Sequence, residues 1–169
     1  MKKLICALLA VLMLASLAAC GDPAPATPTT SATPAATLPQ ERFCFTLSGV
    51  ALEPWAAFDP AVLPEAESVY EVPSCAIEGN DKVYNYGTVE VTAYDDGTGP
   101  VIYSIYILDA NTPTDEGLYL GDDLATVESL YGTDYTRQDD QLTYKQGDSL
   151  LVILLQDGYV HSIELRMDT

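Results

Sequence analysis

The cysteines are the residues whose positions point most directly to chemistry. The chain has four of them, Cys6, Cys20, Cys44 and Cys75. Cys44 and Cys75 form an even pair downstream of an apolar N-terminal run, and paired cysteines in exported chains usually form disulfides. We therefore expect a Cys44–Cys75 disulfide, with two buried thiols as the alternative. The spacing Cys-x-x-Cys does not occur, so a redox role is not expected.

The single histidine, His161, lies next to Ser162 on a predicted strand. A catalytic triad is defined by geometry and by three roles, so a lone histidine beside a serine does not make one. One histidine also excludes imidazole pairs and multi-histidine metal sites. We interpret His161 as a structural or surface residue. No nucleophile and base stand out elsewhere, so we predict a protein that is not an enzyme, has no catalytic residue and needs no cofactor.

Acidic residues dominate the charge of the chain. There are 25 Asp and Glu against 7 Lys and Arg, and the formal net charge is −18. This charge argues against nucleic acid as a partner, because a nucleic-acid binder needs clustered cations to neutralise phosphates. The acidic pairs Asp95-Asp96, Asp122-Asp123 and Asp139-Asp140 lack the Asp-x-Asp-x-Asp-Gly spacing of calcium loops. Turn chemistry and solubility explain them, with a low-affinity cation site as the alternative, so no metal ligand is assigned.

The first twenty residues predict export and lipid attachment. Met1-Lys2-Lys3 precedes an uncharged apolar run at 4–17. A membrane span needs about 20 apolar residues, so this shorter run fits a secretory signal. It ends in Leu17-Ala18-Ala19-Cys20, which resembles the lipobox of bacterial lipoproteins. The resemblance implies cleavage after Ala19, a diacylglyceryl group on the Cys20 thiol and attachment to the outer side of the bacterial cell membrane. An ordinary secretory signal is the alternative.

The segment after Cys20 predicts a tether. Residues 21–40 read GDPAPATPTTSATPAATLPQ, with five prolines and one large apolar residue, Leu38. Such a composition favours a disordered or polyproline II linker, which reaches about 60 Å at about 3 Å per residue. We therefore divide the N-terminal part into a signal peptide, 1–19, and a lipidated cysteine with its tether, 20–40.

The rest of the chain indicates two similar halves, 41–112 and 113–169. In each half an Asp-Gly turn signal separates apolar runs, which is a strong hairpin indication. Strands are predicted at 43–48, 69–72, 82–86, 89–95, 101–108, 134–137, 141–145, 149–156 and 159–167. A short helix is predicted in each half. Asp59 is the expected N-cap of the first, with Pro60 at its first position, and Asp122 is the expected N-cap of the second, where Asp123 favours the helix dipole. The expected fold class is α+β: two degenerate helix-then-antiparallel-strand repeats that form a mainly antiparallel sheet with short helices on one face.

A second resemblance lies between Thr114 and Gly132. This stretch combines a glycine turn, a short predicted helix and a final Tyr131-Gly132, a pattern that resembles a recurrent motif of envelope lipoproteins. The order of a helix and then antiparallel strands is similar to the SmpA/OmlA-type outer-membrane assembly lipoproteins. A doubled version is similar to the β-lactamase inhibitory protein fold. The resemblance implies a fold, and no contact residues of those families match here, so it implies no activity.

Tyrosine is the residue type that best suggests a binding surface. The chain has 11 tyrosines and one tryptophan, Trp55, which we expect to anchor the first helix. The predicted interaction face consists of Tyr84, Tyr86, Tyr94, Tyr103 and Tyr106. Tyrosines on adjacent strands suit a half-exposed sheet face that binds a protein, a peptide or a glycan. The alternative is that they cover the edge of the core.

Two classes of function remain. The first is a lipid-anchored, non-catalytic interaction or structural module of the cell envelope, with an envelope protein as partner. The second is an accessory lipoprotein that binds a small ligand or a cation. In both, the membrane is contacted through the N-terminal lipid.

Overall fold

A computed structural model describes residues 42–74, 78–95 and 97–169 of the chain. The signal peptide, the tether, Cys6, Cys20 and Cys75 therefore lie outside the described residues. The described residues form ten strands: β1 (Phe45–Leu47), β2 (Val50–Leu52), β3 (Ser68–Pro73), β4 (Asn80–Asn85), β5 (Val89–Asp95), β6 (Pro100–Ile107), β7 (Thr136–Gln138), β8 (Gln141–Gln146), β9 (Ser149–Gln156) and β10 (Tyr159–Met167). The helices are α1 (Leu124–Tyr131) and a 3-10 helix, Pro60–Val62.

Eight of the strands form one antiparallel sheet in the order β3-β4-β5-β6-β10-β9-β8-β7, and β1 and β2 form a separate hairpin. Each half of the chain contributes four consecutive strands to the large sheet. The halves meet where β6 pairs with β10, with Ile105 opposite Leu165. The sheet is therefore continuous across both halves.

The predicted α+β fold class is wrong, because the described residues are mainly strand. α1 is their single α-helix, and it begins one residue later than predicted. Asp123, and not Asp122, caps it, with its carboxylate accepting a hydrogen bond from the Thr126 amide. The helix predicted in the first half is only the three-residue 3-10 helix, although Asp59 caps it as expected. Pro64 follows two residues after this helix ends, and proline cannot donate the hydrogen bond that a longer helix would need.

The predicted strand positions agree well with those observed. β5, β9 and β10 occupy 89–95, 149–156 and 159–167, as predicted. β2 was not predicted. It is three residues long, too short for an alternating pattern to be distinguished from a loop.

The two faces of the large sheet differ in what they contact. Residues paired directly across antiparallel strands share a face. One face, the core face, carries the buried residues Val89, Val91, Ile105, Ile107, Leu151, Ile153, Ile163 and Leu165. The same core cluster includes Val127 of α1, Leu118, and Phe45 and Leu52 of the β1–β2 hairpin. The helix and the hairpin therefore pack on the core face, and the opposite face is called the open face below.

The two halves share a backbone hydrogen-bond pattern. In each half, a segment before the strands of that half pairs with its last strand, which is β6 in the first half and β10 in the second. In the first half, the Trp55 amide donates to the Ile102 carbonyl and the Ile102 amide donates to the Ala56 carbonyl, both at 2.9 Å. In the second half, the Gly121 amide donates to the Val160 carbonyl at 2.8 Å, and the Val160 amide donates to the Asp122 carbonyl at 2.7 Å. Trp55 and Gly121 also share a positive φ, 73° and 93°. Glycine adopts this conformation without strain and tryptophan does not, so Trp55 is held in a glycine-like backbone position.

Candidate functional site

The predicted tyrosine face is divided between the two faces of the sheet. Tyr84 pairs with Val91 on the core face, and its ring contacts Phe58 with the ring centroids 4.8 Å apart. Tyr106 pairs with Glu164 on the open face, where its side chain is 36% exposed. The five tyrosines therefore do not form one surface.

The other three tyrosines occupy different environments. Tyr94 pairs with Val101 and lies on the open face near one end of its strand. Tyr103 lies at a register shift of the β5–β6 pairing, and Tyr86 follows β4 and packs against the core. Tyr94 and Tyr106 are thus the two members that the register assigns to the open face.

A row of paired residues crosses the open face from one half to the other. It consists of Asn85, Glu90, Tyr106, Glu164, Val152 and Thr143. Glu90 accepts hydrogen bonds from the Tyr70 hydroxyl, at 2.9 Å, and from the Asn85 side-chain amide, at 3.1 Å. Tyr70 and Leu154 are large, exposed side chains on the same face, at 43% and 39%. The open face therefore combines fixed carboxylates with exposed apolar surface.

Glu164 and Arg166 occupy the centre of the open face, on β10. Burial raises the pKa of Glu164, although the Arg166 charge and a hydrogen bond with Ser104 both act to lower it. The Arg166 Nε is buried and has no hydrogen-bond partner among the described residues. Prediction from sequence did not select these two residues, although their alternation with the buried Ile163 and Leu165 is a signal that they share one face.

Cys44 is a free, buried thiol in the described structure. Beside it, Asp115 accepts hydrogen bonds from the Thr46 amide and hydroxyl, at 2.8 and 2.9 Å. Burial, with the nearby charges of Asp115 and Glu53, raises the pKa of Cys44 to about 11. A protonated, buried thiol is a poor nucleophile and metal ligand. Because Cys75 lies outside the described residues, the Cys44–Cys75 disulfide stays a prediction.

We expect iodoacetamide at about pH 8 to alkylate Cys44 at least tenfold more slowly in the native chain than in concentrated urea. The pKa of about 11, against an ordinary 9.0, leaves less thiolate, and burial restricts access. The raised pKa also means that Cys44 contributes stability below pH 9.0 that is lost as the pH rises towards about 11. Mass spectrometry of the Cys44 peptide measures the rate. A peptide that reacts in urea only after reduction would instead establish the disulfide.

Within the described ranges, the acidic pairs and His161 do not form part of a metal-binding cluster. Asp95 accepts hydrogen bonds from the amides of Gly97 and Gly99, and Asp122 accepts one from the Tyr119 amide, which is turn chemistry. His161 is exposed at a register shift of the β9–β10 pairing. Among the described residues, no group of three or more His, Cys, Asp or Glu side chains is placed to hold a metal ion.

The β8–β9 turn joins distant parts of the chain at Asp148. Its carboxylate accepts hydrogen bonds from the Arg42 guanidinium, which lowers the pKa of Asp148. Its carbonyl accepts hydrogen bonds from the Trp55 indole and from the Asp168 amide, both at 2.9 Å. Trp55 was expected to anchor the first helix, and instead its indole binds this turn.

Comparison of the chain with protein-family models, with curated proteins and with solved structures gives no match. The resemblances to envelope lipoproteins therefore stay interpretations of the sequence. In the part of the chain that the structure describes, no helix is long and apolar enough to cross a membrane.

Proposed function

We propose that the described residues form a non-catalytic binding module of the bacterial cell envelope, and that a lipid on Cys20 holds this module on the outer side of the membrane. Its function is to bind an envelope protein through the open face. The observation that supports this proposal most is the composition of that face. Tyr70, Tyr106 and Leu154 expose large apolar surface around the charged centre at Glu164 and Arg166.

The residue types on the open face are those that protein interfaces use. Protein interfaces combine aromatic and apolar anchors with a few polar groups that fix orientation, and arginine and tyrosine contribute strongly to their binding energy. The Glu90 carboxylate holds the Tyr70 hydroxyl at 2.9 Å, so part of the surface is ordered before a partner binds. Preordering of this kind lowers the entropic cost of association.

We expect a photo-crosslinking residue placed at Leu154 or Tyr106 to give one discrete crosslinked species in native envelopes. Both positions lie on the open face, so a partner seated there contacts them directly. Leu130 of α1, which is 38% exposed, serves as the matched control and should give no such species. The product is measured by gel shift and mass spectrometry.

A second variant distinguishes a specific partner on the open face from nonspecific crosslinking. Tyr106→Asp removes an exposed aromatic anchor and adds a third carboxylate between Glu90 and Glu164, so it should abolish the crosslink formed from Leu154. Circular dichroism shows whether the variant is still folded. Equal crosslinking from Leu130 and Leu154, or a crosslink that survives Tyr106→Asp, would contradict a partner on the open face.

A further inference from the structure

β3 is an exposed edge of the large sheet. It pairs with β4 on one side, and no other strand of the described residues pairs with its second side. Five of its six residues are exposed, and Val69 is 53% exposed. The strand at the opposite edge, β7, has only three residues. A short edge strand discourages pairing with another chain, whereas a longer exposed one permits it. The fold therefore protects one edge of the sheet and leaves the other available.

The β3–β4 register determines which backbone groups of β3 point away from the sheet. Residues of an antiparallel strand alternate between those that hydrogen-bond to the neighbouring strand and those that point away from it. The Ser74 amide donates to the Gly79 carbonyl at 3.0 Å, in continuation of the β3–β4 register. By alternation from Ser74, the amides and carbonyls of Val69 and Glu71 point outward. Pro73 falls in the same outward set, where a residue without an amide is tolerated.

One antiparallel register of β3 with a second β3 satisfies these outward groups. With the Tyr70 residues of two copies opposite each other on a two-fold axis, Val69 of each copy lies opposite Glu71 of the other. Every outward amide of these two residues then has a carbonyl to donate to. Glu71 faces an apolar residue across the axis, and within its own sheet it lies beside Lys82 and accepts a hydrogen bond of 3.3 Å from the Asn80 side chain. Both its charge and its hydrogen bond are therefore kept.

The neighbouring registers are poorer. An axis at Glu71 would place the two Glu71 carboxylates opposite each other, and an axis at Val69 would place Glu71 opposite Glu67, and like charges directly opposite destabilise a sheet. An axis at Val72 would place Glu71 opposite Pro73, which has no amide to donate. The sequence of β3 therefore selects the axis at Tyr70.

We propose that β3 pairs with β3 of a second copy of this chain about a two-fold axis at Tyr70, so that the large sheets of both copies become one continuous sheet. Opposed residues share a face, so the open faces of both copies lie on the same side of this sheet. Each copy has a net charge of −18, so the copies repel at low ionic strength and the backbone pairing supplies the attraction. The contact lies at the sheet edge and is independent of the envelope partner proposed above.

Cysteine crosslinking of the full chain in native membranes tests the position of the axis. Opposed residues that are not hydrogen-bonded have Cα atoms about 4.5 Å apart, a distance that a disulfide spans. Under mild oxidation Tyr70→Cys should therefore give a species of twice the mass of the chain. Ser68→Cys and Val72→Cys should give none alone but should crosslink when coexpressed, because these residues oppose each other across the axis. The unsubstituted chain, with its own cysteines, is the control and should give no dimer.

A matched pair of variants tests the backbone pairing. Val69→Pro removes an outward amide, whereas Val69→Ala shortens the same side chain and keeps the amide. Sedimentation velocity of the full chain in detergent should show a concentration-dependent dimer that becomes stronger as salt screens the repulsion. Val69→Pro should weaken this dimer about 5- to 100-fold, the range for the two hydrogen bonds lost across the axis, and Val69→Ala should weaken it less. Proline is tolerated at an outward edge position, so both variants should melt near the temperature of the unsubstituted chain.

Several results would overturn the proposal. They are no crosslink from Tyr70→Cys, a crosslink only to a protein of another mass, dimers of equal yield from Ser68→Cys alone, and equal weakening by both Val69 variants. A dimer that weakens as salt rises would also overturn it, because ion pairs and not backbone pairing would then hold the copies together. The crosslink from Leu154 to an envelope protein is measured separately and should persist in Val69→Pro, so failure of one proposal is distinguishable from failure of the other.

Discussion

Replacing Ile105 with alanine is expected to lower the free energy of unfolding by about 2–5 kcal/mol. Ile105 is fully buried and pairs with Val91 on one side and Leu165 on the other, at the seam between the two halves. Truncation removes apolar contacts from both halves and leaves a cavity that a sheet cannot easily close. Urea denaturation followed by circular dichroism measures the effect. The m-value, which is the slope of the unfolding free energy against urea concentration, should stay unchanged.

A matched substitution in the other half tests whether the sheet unfolds as one unit. Ile163 is as buried as Ile105 and lies on the same face, so Ile163→Ala should cost a similar free energy in one transition. Leu154→Ala on the open face, where the side chain is 39% exposed, should cost under about 1 kcal/mol. Two separate transitions would show that the halves unfold independently and would contradict a single cooperative sheet.

Replacing Cys20 with alanine is expected to abolish incorporation of the fatty-acid label and to release from the membrane those molecules whose signal peptide is still cleaved. The proposed lipid contributes about 0.8 kcal/mol for each buried CH₂ group, and a chain with a net charge of −18 is repelled by anionic headgroups. In a cleaved chain no other attachment is therefore expected to replace the lipid, whereas an uncleaved chain keeps the apolar run at 4–17, so the loss of label is the decisive result. Metabolic labelling with a fatty-acid analogue, together with membrane fractionation, measures both effects.

The control for this experiment is the other cysteine of the N-terminal region. Cys6 lies within the apolar run at 4–17, so Cys6→Ala should keep both the label and the membrane fraction. Persistent labelling of the Cys20→Ala protein would contradict the assignment of Cys20 as the lipidated residue.

The strands were predictable because their pattern is local. β9 and β10 have buried residues at alternate positions and a two-residue Asp157-Gly158 turn between them, and both features are visible in the sequence. The fold class was not predictable to the same degree. Asp59-Pro60 correctly indicated where a helical segment begins, but a start signal does not determine length, and the segment ends after three residues.

The candidate site was less predictable, because it depends on which face each strand presents. The composition identified tyrosine as a surface-forming residue, yet a register shift of one residue moves a side chain to the opposite face. The β5–β6 pairing has such a shift between Thr92 and Ala93, near Tyr103.

The Asp148 turn offers a way to measure the distance between the folded residues and the membrane. Arg42 and Asp168 both bind this turn, so the first of the described residues lies close to Asp168. A dye on a Thr169→Cys variant would therefore report the position of residue 42. Fluorescence energy transfer from that dye to an acceptor in the bilayer would measure how far above the lipid surface the sheet is held.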